Sequence, residues 1–186
     1  MAEDGALIPL EVLGVRVELP SNQPIVLLRE RDGARYLPIW IGPAEATAIA
    51  TALEGVKPPR PLTHDLMRSV IDALGGLAVK VVITEMRDSI FYADLSLDAS
   101  GKVVEVSSRP SDAIALAVRT GTPIYAASTV LEEAGVVFEE EEEEEVARFR
   151  EFLEQVTVED FLEAGHPEHP GHPEHPDQPD NPDQPE

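Results

Sequence analysis

The chain has 186 residues, 42% of them hydrophobic, and its 14 Lys and Arg stand against 36 Asp and Glu for a formal net charge of −22. That length supports one domain with a real core plus an appendage, rather than two full domains. No cysteine is present, which excludes disulfides, thiolate metal sites and a cysteine nucleophile.

The distribution of charge matters more than its sum. Residues 1–137 carry 12 Lys and Arg against 18 Asp and Glu, giving −6, whereas residues 138–186 carry 2 against 18, giving −16. The body is therefore only mildly acidic, and it lacks the basic run that tracks a phosphate backbone. The opening MAEDGALIPL has no basic segment followed by an apolar run, and no stretch approaches a membrane span, so a soluble cytoplasmic protein is expected.

In chain order, Leu7 to Leu19 alternates as a strand with Gly14 as a bulge or bend. Ile25–Glu30 and Ala34–Ile41 flank Arg31-Asp32-Gly33, a hairpin signal, so three antiparallel strands open the fold. Gly42-Pro43 starts a helix over Ala44–Glu54, with Ala44, Ala48, Ile49, Ala52 and Leu53 on one face and Gly55 closing it. A stiff Lys57-Pro58-Pro59-Arg60-Pro61 connector leads to a second helix, His64–Leu74, capped by Thr63 and ended by Gly75-Gly76.

Leu77–Arg87, Ile90–Leu97 and Lys102–Ser107 form a second group of strands, the first two joined through Arg87-Asp88-Ser89. Arg109-Pro110-Ser111-Asp112 then begins a helix that is apolar nearly all round, hence buried, and that stops at Gly121. Ser111 is the expected cap and Asp112 faces the dipole. Thr122–Ala126 is a strand, and Ser128–Ala134 is a short helix closed by Gly135. Strands and helices in runs, without strict alternation, give an α+β domain on a mixed, mostly antiparallel sheet with packed helices.

Beyond this 1–137 domain the composition changes. Residues 138–165 contain the acidic run Glu139–Glu145 and an amphipathic helix across 146–162, with Val146, Phe149, Leu153 and Val156 at helical spacing. That helix docks on its own domain or on a protein partner. Residues 166–186 are seven X-Pro-X triplets, read as a disordered, solubilising tail. Its His166, His169, His172 and His175 fall about 9 Å apart in a polyproline helix, too far to share a metal without bending the chain.

No phosphate-binding glycine loop, HExxH, G-x-S-x-G or nucleotide fingerprint is present. The remaining chemistry lies at helix starts. Arg109 puts a positive charge beside a positive helix end, which calls for an ion pair with Asp112 or a nearby Glu, or else marks an anion site. His64, the domain's lone histidine, is either a hydrogen-bonded first-turn residue or a neutral base or ligand. Glu45, Asp65 and Asp112 suit first turns for helix stability alone, yet converging carboxylates could hold Mg²⁺ or Mn²⁺.

YLPIWIGPAEATAI (Tyr36–Ile49), RPLTHDLM (Arg60–Met67), RDSIFYADL (Arg87–Leu95) and SRPSDAIALAVRTGTPIY (Ser108–Tyr125) together resemble the bifunctional nuclease family, across Leu7 to Val137. The acidic run and FREFLEQVTVEDF (Phe149–Phe161) are similar to the C-terminal extension of its actinobacterial branch. The resemblance implies an α+β fold that tends to self-associate and an activity on DNA and RNA, for which metal-assisted hydrolysis is the expected mechanism; the domain's many apolar helix and strand faces point to a dimer. His64, Asp65, Arg109 and Asp112 are the candidate catalytic residues, and Glu45, Asp88 and Asp112 the candidate ligands for Mg²⁺ or Mn²⁺. No organic cofactor is implied. The competing expectation is a non-catalytic regulatory or interaction module. A third joins the two: the polyanionic segment folds over a phosphate site and competes with substrate, so that deleting residues 138–186 raises nucleic-acid binding at low salt.

Overall fold

A computed structural model describes residues 6–19 and 21–137. The alternating opening segment forms β1 (Leu7–Glu18), bulged between Val12 and Gly14, and pairs with β2 (Gln23–Glu30), which pairs with β3 (Arg35–Trp40). The second group is β4 (Gly76–Arg87), β5 (Ile90–Ala99) and β6 (Lys102–Ser108), again antiparallel. Asp88 and Ser89 both take positive φ in the β4–β5 turn, as a tight hairpin requires.

The two groups are joined by β7 (Ile124–Ala127), which lies antiparallel to β1 and parallel to β4. The result is one eight-stranded sheet ordered β6-β5-β4-β7-β1-β2-β3-β8, where β8 is Val136–Val137. The α+β class and the mostly antiparallel sheet are as the sequence predicts. The Val136–Val137 strand was not expected, because two residues carry no periodicity and their pairing with Arg35 and Tyr36 is purely tertiary.

Because β7 fills the centre of the sheet, the helix before it, α3 (Pro110–Thr120), is drawn over the core. It packs on β4 and β5 and on the helices α1 (Pro43–Leu53) and α2 (Thr63–Ala73). Ala113 through Ala117 are all buried, as expected for an all-round apolar helix. Gly121 ends it with φ of +70°, a left-handed conformation that glycine adopts without cost. The strand then begins two residues later than predicted. The Thr122 hydroxyl instead donates to the Ala78 carbonyl at 3.2 Å, and the Pro123 carbonyl accepts from the Val81 amide.

Val26, Leu28, Leu37, Val81, Ile83, Leu95, Ile114 and Leu116 lie in one core with Ile49 of α1 and with Val130 and Leu131 of α4 (Ser128–Ala134). Two local expectations are corrected. Helix α1 buries Ala46, Ala48, Ile49 and Thr51, while Ala44 and Leu53 are exposed. The N-caps of α2 and α3 are Leu62 and Arg109, not Thr63 and Ser111, and neither makes a side-chain cap. Gly135 closes α4 as expected, in an extended conformation.

Helix α2 departs furthest from the ordinary pattern. Of its residues only His64 is buried, and Leu66, Met67 and Val70 are exposed along with the flanking Leu62 and Leu74. The expectations for the acidic run, the 146–162 helix and the tail lie outside the described residues. Among the described residues no helix is long and apolar enough to cross a membrane.

Candidate active site

Three helix starts meet on one side of α3, because α1 and α2 both pack against it. Each contributes a first-turn polar group: Glu45 from α1, His64 from α2 and Asp112 from α3, with Arg109 at the N-cap of α3. The sequence places these groups at helix starts, and the fold brings them together.

Arg109 is the hub. Its Nε donates to Asp112 Oδ2 at 2.7 Å, and Nη2 reaches Asp112 Oδ1 at 3.1 Å and Glu45 Oε1 at 2.9 Å. Both carboxylate partners anticipated for this cation are therefore present, which offsets its position at the positive end of α3. The guanidinium is pushed above its ordinary pKa, chiefly by the Asp112 hydrogen bonds and charge and then by Glu45. Its side chain is still 66% exposed, and Nη1 takes part in none of these pairs.

Behind it, His64 Nε2 lies 3.1 Å from Asp112 Oδ1. His64 is buried at 6% exposure, so this imidazole is a hydrogen-bonded first-turn residue that holds Asp112 from the protein side. Burial works to raise the pKa of Asp112, but the hydrogen bonds from Arg109 and His64 outweigh it and the carboxyl is held below its ordinary value. Asp112 is therefore an anion near neutral pH.

Glu45 Oε2, the oxygen not paired with Arg109, occupies the space that a Cβ on Gly42 would need. Gly42 belongs to the lining of an adjacent groove of about 640 Å³. Its lining includes Trp40 and Pro43, Ser89, Ile90 and Phe91 of the β4–β5 hairpin, and Arg109 as the charged residue.

Two predicted residues stand apart. Asp65 pairs with Arg119 Nε through Oδ1 at 2.6 Å and accepts the Leu62 amide through Oδ2 at 3.0 Å. It fixes α2 on the end of α3 and does not enter the Arg109 cluster. Asp88 sits in the β4–β5 turn and makes none of the cluster's ion pairs. The predicted ligand set of Glu45, Asp88 and Asp112 is thus not assembled, and among the described residues no three His, Asp or Glu side chains stand together as metal ligands. Both oxygens of Asp112 and one of Glu45 are already engaged, so a divalent ion would have to draw them off Arg109.

Sequence reasoning passed over Trp40 and Arg119. The chain's single tryptophan directly before a helix start, and one arginine in an otherwise apolar helix, were the available signals.

A mostly antiparallel sheet with packed helices and an arginine–carboxylate cluster beside a groove defines the chain as a small α+β domain. Sequence comparison narrows this: residues 26–139 match the bifunctional nuclease domain, and the chain belongs to that family. It is 49% identical over 161 residues to an uncharacterized protein of Mycobacterium tuberculosis, covering 82% of this chain and 96% of that one. It is 32% identical over 116 residues to bifunctional nuclease 1 of Oryza sativa, and 30% over 108 residues to bifunctional nuclease 1 of Arabidopsis thaliana. These matches span 61% and 56% of this chain but only 35% and 33% of the plant proteins.

Proposed function

We propose that the chain hydrolyses phosphodiester bonds of DNA and RNA at the Glu45–Arg109–Asp112–His64 cluster. The observation that carries this reading is the exposed Arg109 guanidinium, fixed by two carboxylates yet with Nη1 left for a ligand. A phosphate on that nitrogen has its charge neutralised where a pentacoordinate transition state accumulates more of it. Glu45 Oε2, the oxygen not paired with Arg109 and set against Gly42 of the groove lining, is the candidate base. It takes a proton from a water whose oxygen bonds to phosphorus as the P–O bond on the opposite side breaks. The departing oxygen is protonated by solvent. Asp112 and His64 act as positioning residues for the guanidinium.

This scheme uses no metal ion. Without displacing a bond to Arg109 or His64, Mg²⁺ or Mn²⁺ would have only Glu45 Oε2 to take from these carboxylates. Cleavage of labelled single-stranded DNA and RNA by the full chain, with Mg²⁺, with Mn²⁺ and with chelator, tests both points, with Arg109→Ala and Glu45→Gln as controls for contaminating nuclease. Cleavage lost in both variants supports the reading. Equal cleavage by all three proteins sinks it.

The second reading, a non-catalytic interaction module, draws on α2. Its outward stripe of Leu62, Leu66, Met67, Val70 and Leu74 is what a second copy or another protein would cover. Absence of cleavage, together with self-association that Leu66→Glu abolishes, would favour it.

A further inference from the structure

We propose that residues 146–162 of this chain dock across the face of β1, β2 and β3 on which no described helix packs, so that the acidic segment is held on the side of the sheet away from Arg109. The inference is independent of the nuclease reading.

A sheet with one face in water alternates apolar and polar side chains along each strand. β2 and β3 do not. Val26, Leu28, Leu37 and Ile39 belong to the core shared with α1, α3 and α4. The residues between them, on the other face, are mostly apolar as well: Ile25 opposes Trp40, Leu27 opposes Pro38, and Tyr36 opposes Arg29. Strands apolar on both faces are the pattern of a sheet covered on both sides. Burial agrees with this, since Leu27 is 7% exposed and Tyr36 5%, although α1, α3 and α4 lie across the sheet and α2 packs on α3 and β4. Arg16, Glu18, Ile25, Leu27 and Pro38 help to line a groove of about 360 Å³ there. The indole of Trp40 is tied to the same face by the bond of its Nε1–H to Glu18 Oε2 at 3.0 Å.

The path of the chain favours its own segment as the occupant. β8 borders β3, with Val136 opposite Tyr36 and Val137 opposite Arg35, so the chain leaves the sheet at the β2–β3 hairpin end, on the rim of this face. Residues 138–145 span up to roughly 26 Å when extended, enough to turn back over the strands. As a helix, Val146–Val156 is about 17 Å long, within the roughly 26 Å covered by β2. Val146, Phe149, Leu153 and Val156 then share one stripe, with Phe152 beside it. On the face, Arg16 and Arg29 are matched by Glu11 and Glu18, so the acidic segment meets no excess of negative charge. Tethering gives it a high local concentration, whereas a second copy in its place would bring two chains of net charge −22 together.

The chain contains no cysteine, so introduced pairs report on this contact alone. In the full chain, Ile25→Cys is combined in turn with Phe149→Cys, Phe152→Cys, Leu153→Cys and Val156→Cys, and with Glu151→Cys and Glu154→Cys from the polar side of the helix. After oxidation, disulfides within one chain are expected for the first four pairs and not for the two glutamate positions. In Ile25→Cys alone, the thiol should react with a bulky maleimide about tenfold faster once Leu153→Glu is added, because a large apolar contact is lost. Pro38→Cys repeats both measurements from a second position on the face, which covers a failure of Ile25→Cys to fold.

Disulfides that join two chains would give the face to a second copy and overturn the proposal. Equal crosslinking at all six positions, no crosslinking at any, or a thiol whose reactivity ignores Leu153→Glu would overturn it as well.

Discussion

His64 Nε2 sits 3.1 Å from Asp112 Oδ1, tying together two helix starts that lie 48 residues apart in the chain. The same oxygen accepts from Arg109 Nη2, so the imidazole fixes a carboxylate that in turn fixes the guanidinium. His64→Ala should cost about 1–3 kcal/mol, because a part-buried carboxylate loses a partner. It should also lower the turnover number. His64→Gln, which can still donate to Oδ1, should recover part of both losses. Urea midpoints at unchanged slope measure the first effect and single-turnover cleavage the second. A stable His64→Ala protein with full turnover would remove the positioning role.

Arg109→Lys separates charge from geometry. Lysine keeps the positive charge but cannot span Asp112 and Glu45 with a planar fork. If Arg109 binds the phosphate in the transition state, Ala should lower the turnover number by about 10²-fold or more, with Lys recovering little of it. Fold stability should move far less, since the side chain is 66% exposed and solvent screens its pairs. Full recovery by Lys would mean that a point charge suffices and that the two-carboxylate clamp is incidental.

Much of this fold was legible because local signals agreed with the tertiary outcome. The Asp32-Gly33 pair, the bulge at Gly14, proline at the first position of α1, and the left-handed Gly121 all lie where the sequence places them. Legibility failed where the deciding partner is remote. Val136–Val137 becomes a strand only because β3 has a free edge, and Thr122 is held out of β7 by a carbonyl 44 residues away. The candidate site divides in the same way. An arginine at a helix start announces a missing anion, so its pairing was readable. That Asp65 turns to Arg119 while Asp112 turns to Arg109 depends on how α2 lies across α3, which no first-turn pattern encodes.

Gly42→Ala tests the Glu45 role from outside the carboxylate. A methyl at Gly42 meets Glu45 Oε2 and forces that flexible side chain off its present position. The backbone there is extended, with φ of −77°, so alanine itself introduces no strain. The variant should keep its stability to within about 1 kcal/mol, since what moves is one ion pair to an exposed arginine. Its cleavage should fall in the same direction as in Glu45→Gln. Full activity in Gly42→Ala beside an inactive Glu45→Gln would show that the placement of Oε2 is not what matters.

Stability should fall at acid pH through Asp112. Its folded-state pKa lies below the ordinary 3.8; burial works against this, but the Arg109 and His64 hydrogen bonds overcome it. A group depressed on folding contributes stability above its unfolded pKa, and that contribution is lost as pH falls through the folded value. The loss should therefore begin below about pH 5 and deepen under pH 4. Asp112→Asn should lose less stability across that window than the parent. Glu30, lowered chiefly by its hydrogen bonds with Arg35, and Asp65 contribute the same trend to both proteins, so the difference between the two curves isolates Asp112. Superimposable slopes would contradict the depressed value.

Asp65→Asn distinguishes the two roles open to an acidic residue at a helix start. The Arg119 side chain is only 6% exposed, and its Nε relies on Asp65, while Nη1 donates to the Ala115 carbonyl. Asparagine can still accept the Leu62 amide but leaves the guanidinium without its counter-charge. Removing one partner of a largely buried pair should cost about 2–4 kcal/mol, the lower part of that range following from the 29% exposure of Asp65. The urea midpoint should drop accordingly. Cleavage per folded molecule, measured well below the melting transition, should stay at the parental rate, because Asp65 does not touch the Arg109 cluster. The opposite pattern, an unchanged midpoint with lost cleavage, would place Asp65 at the substrate and require α2 to move when nucleic acid binds.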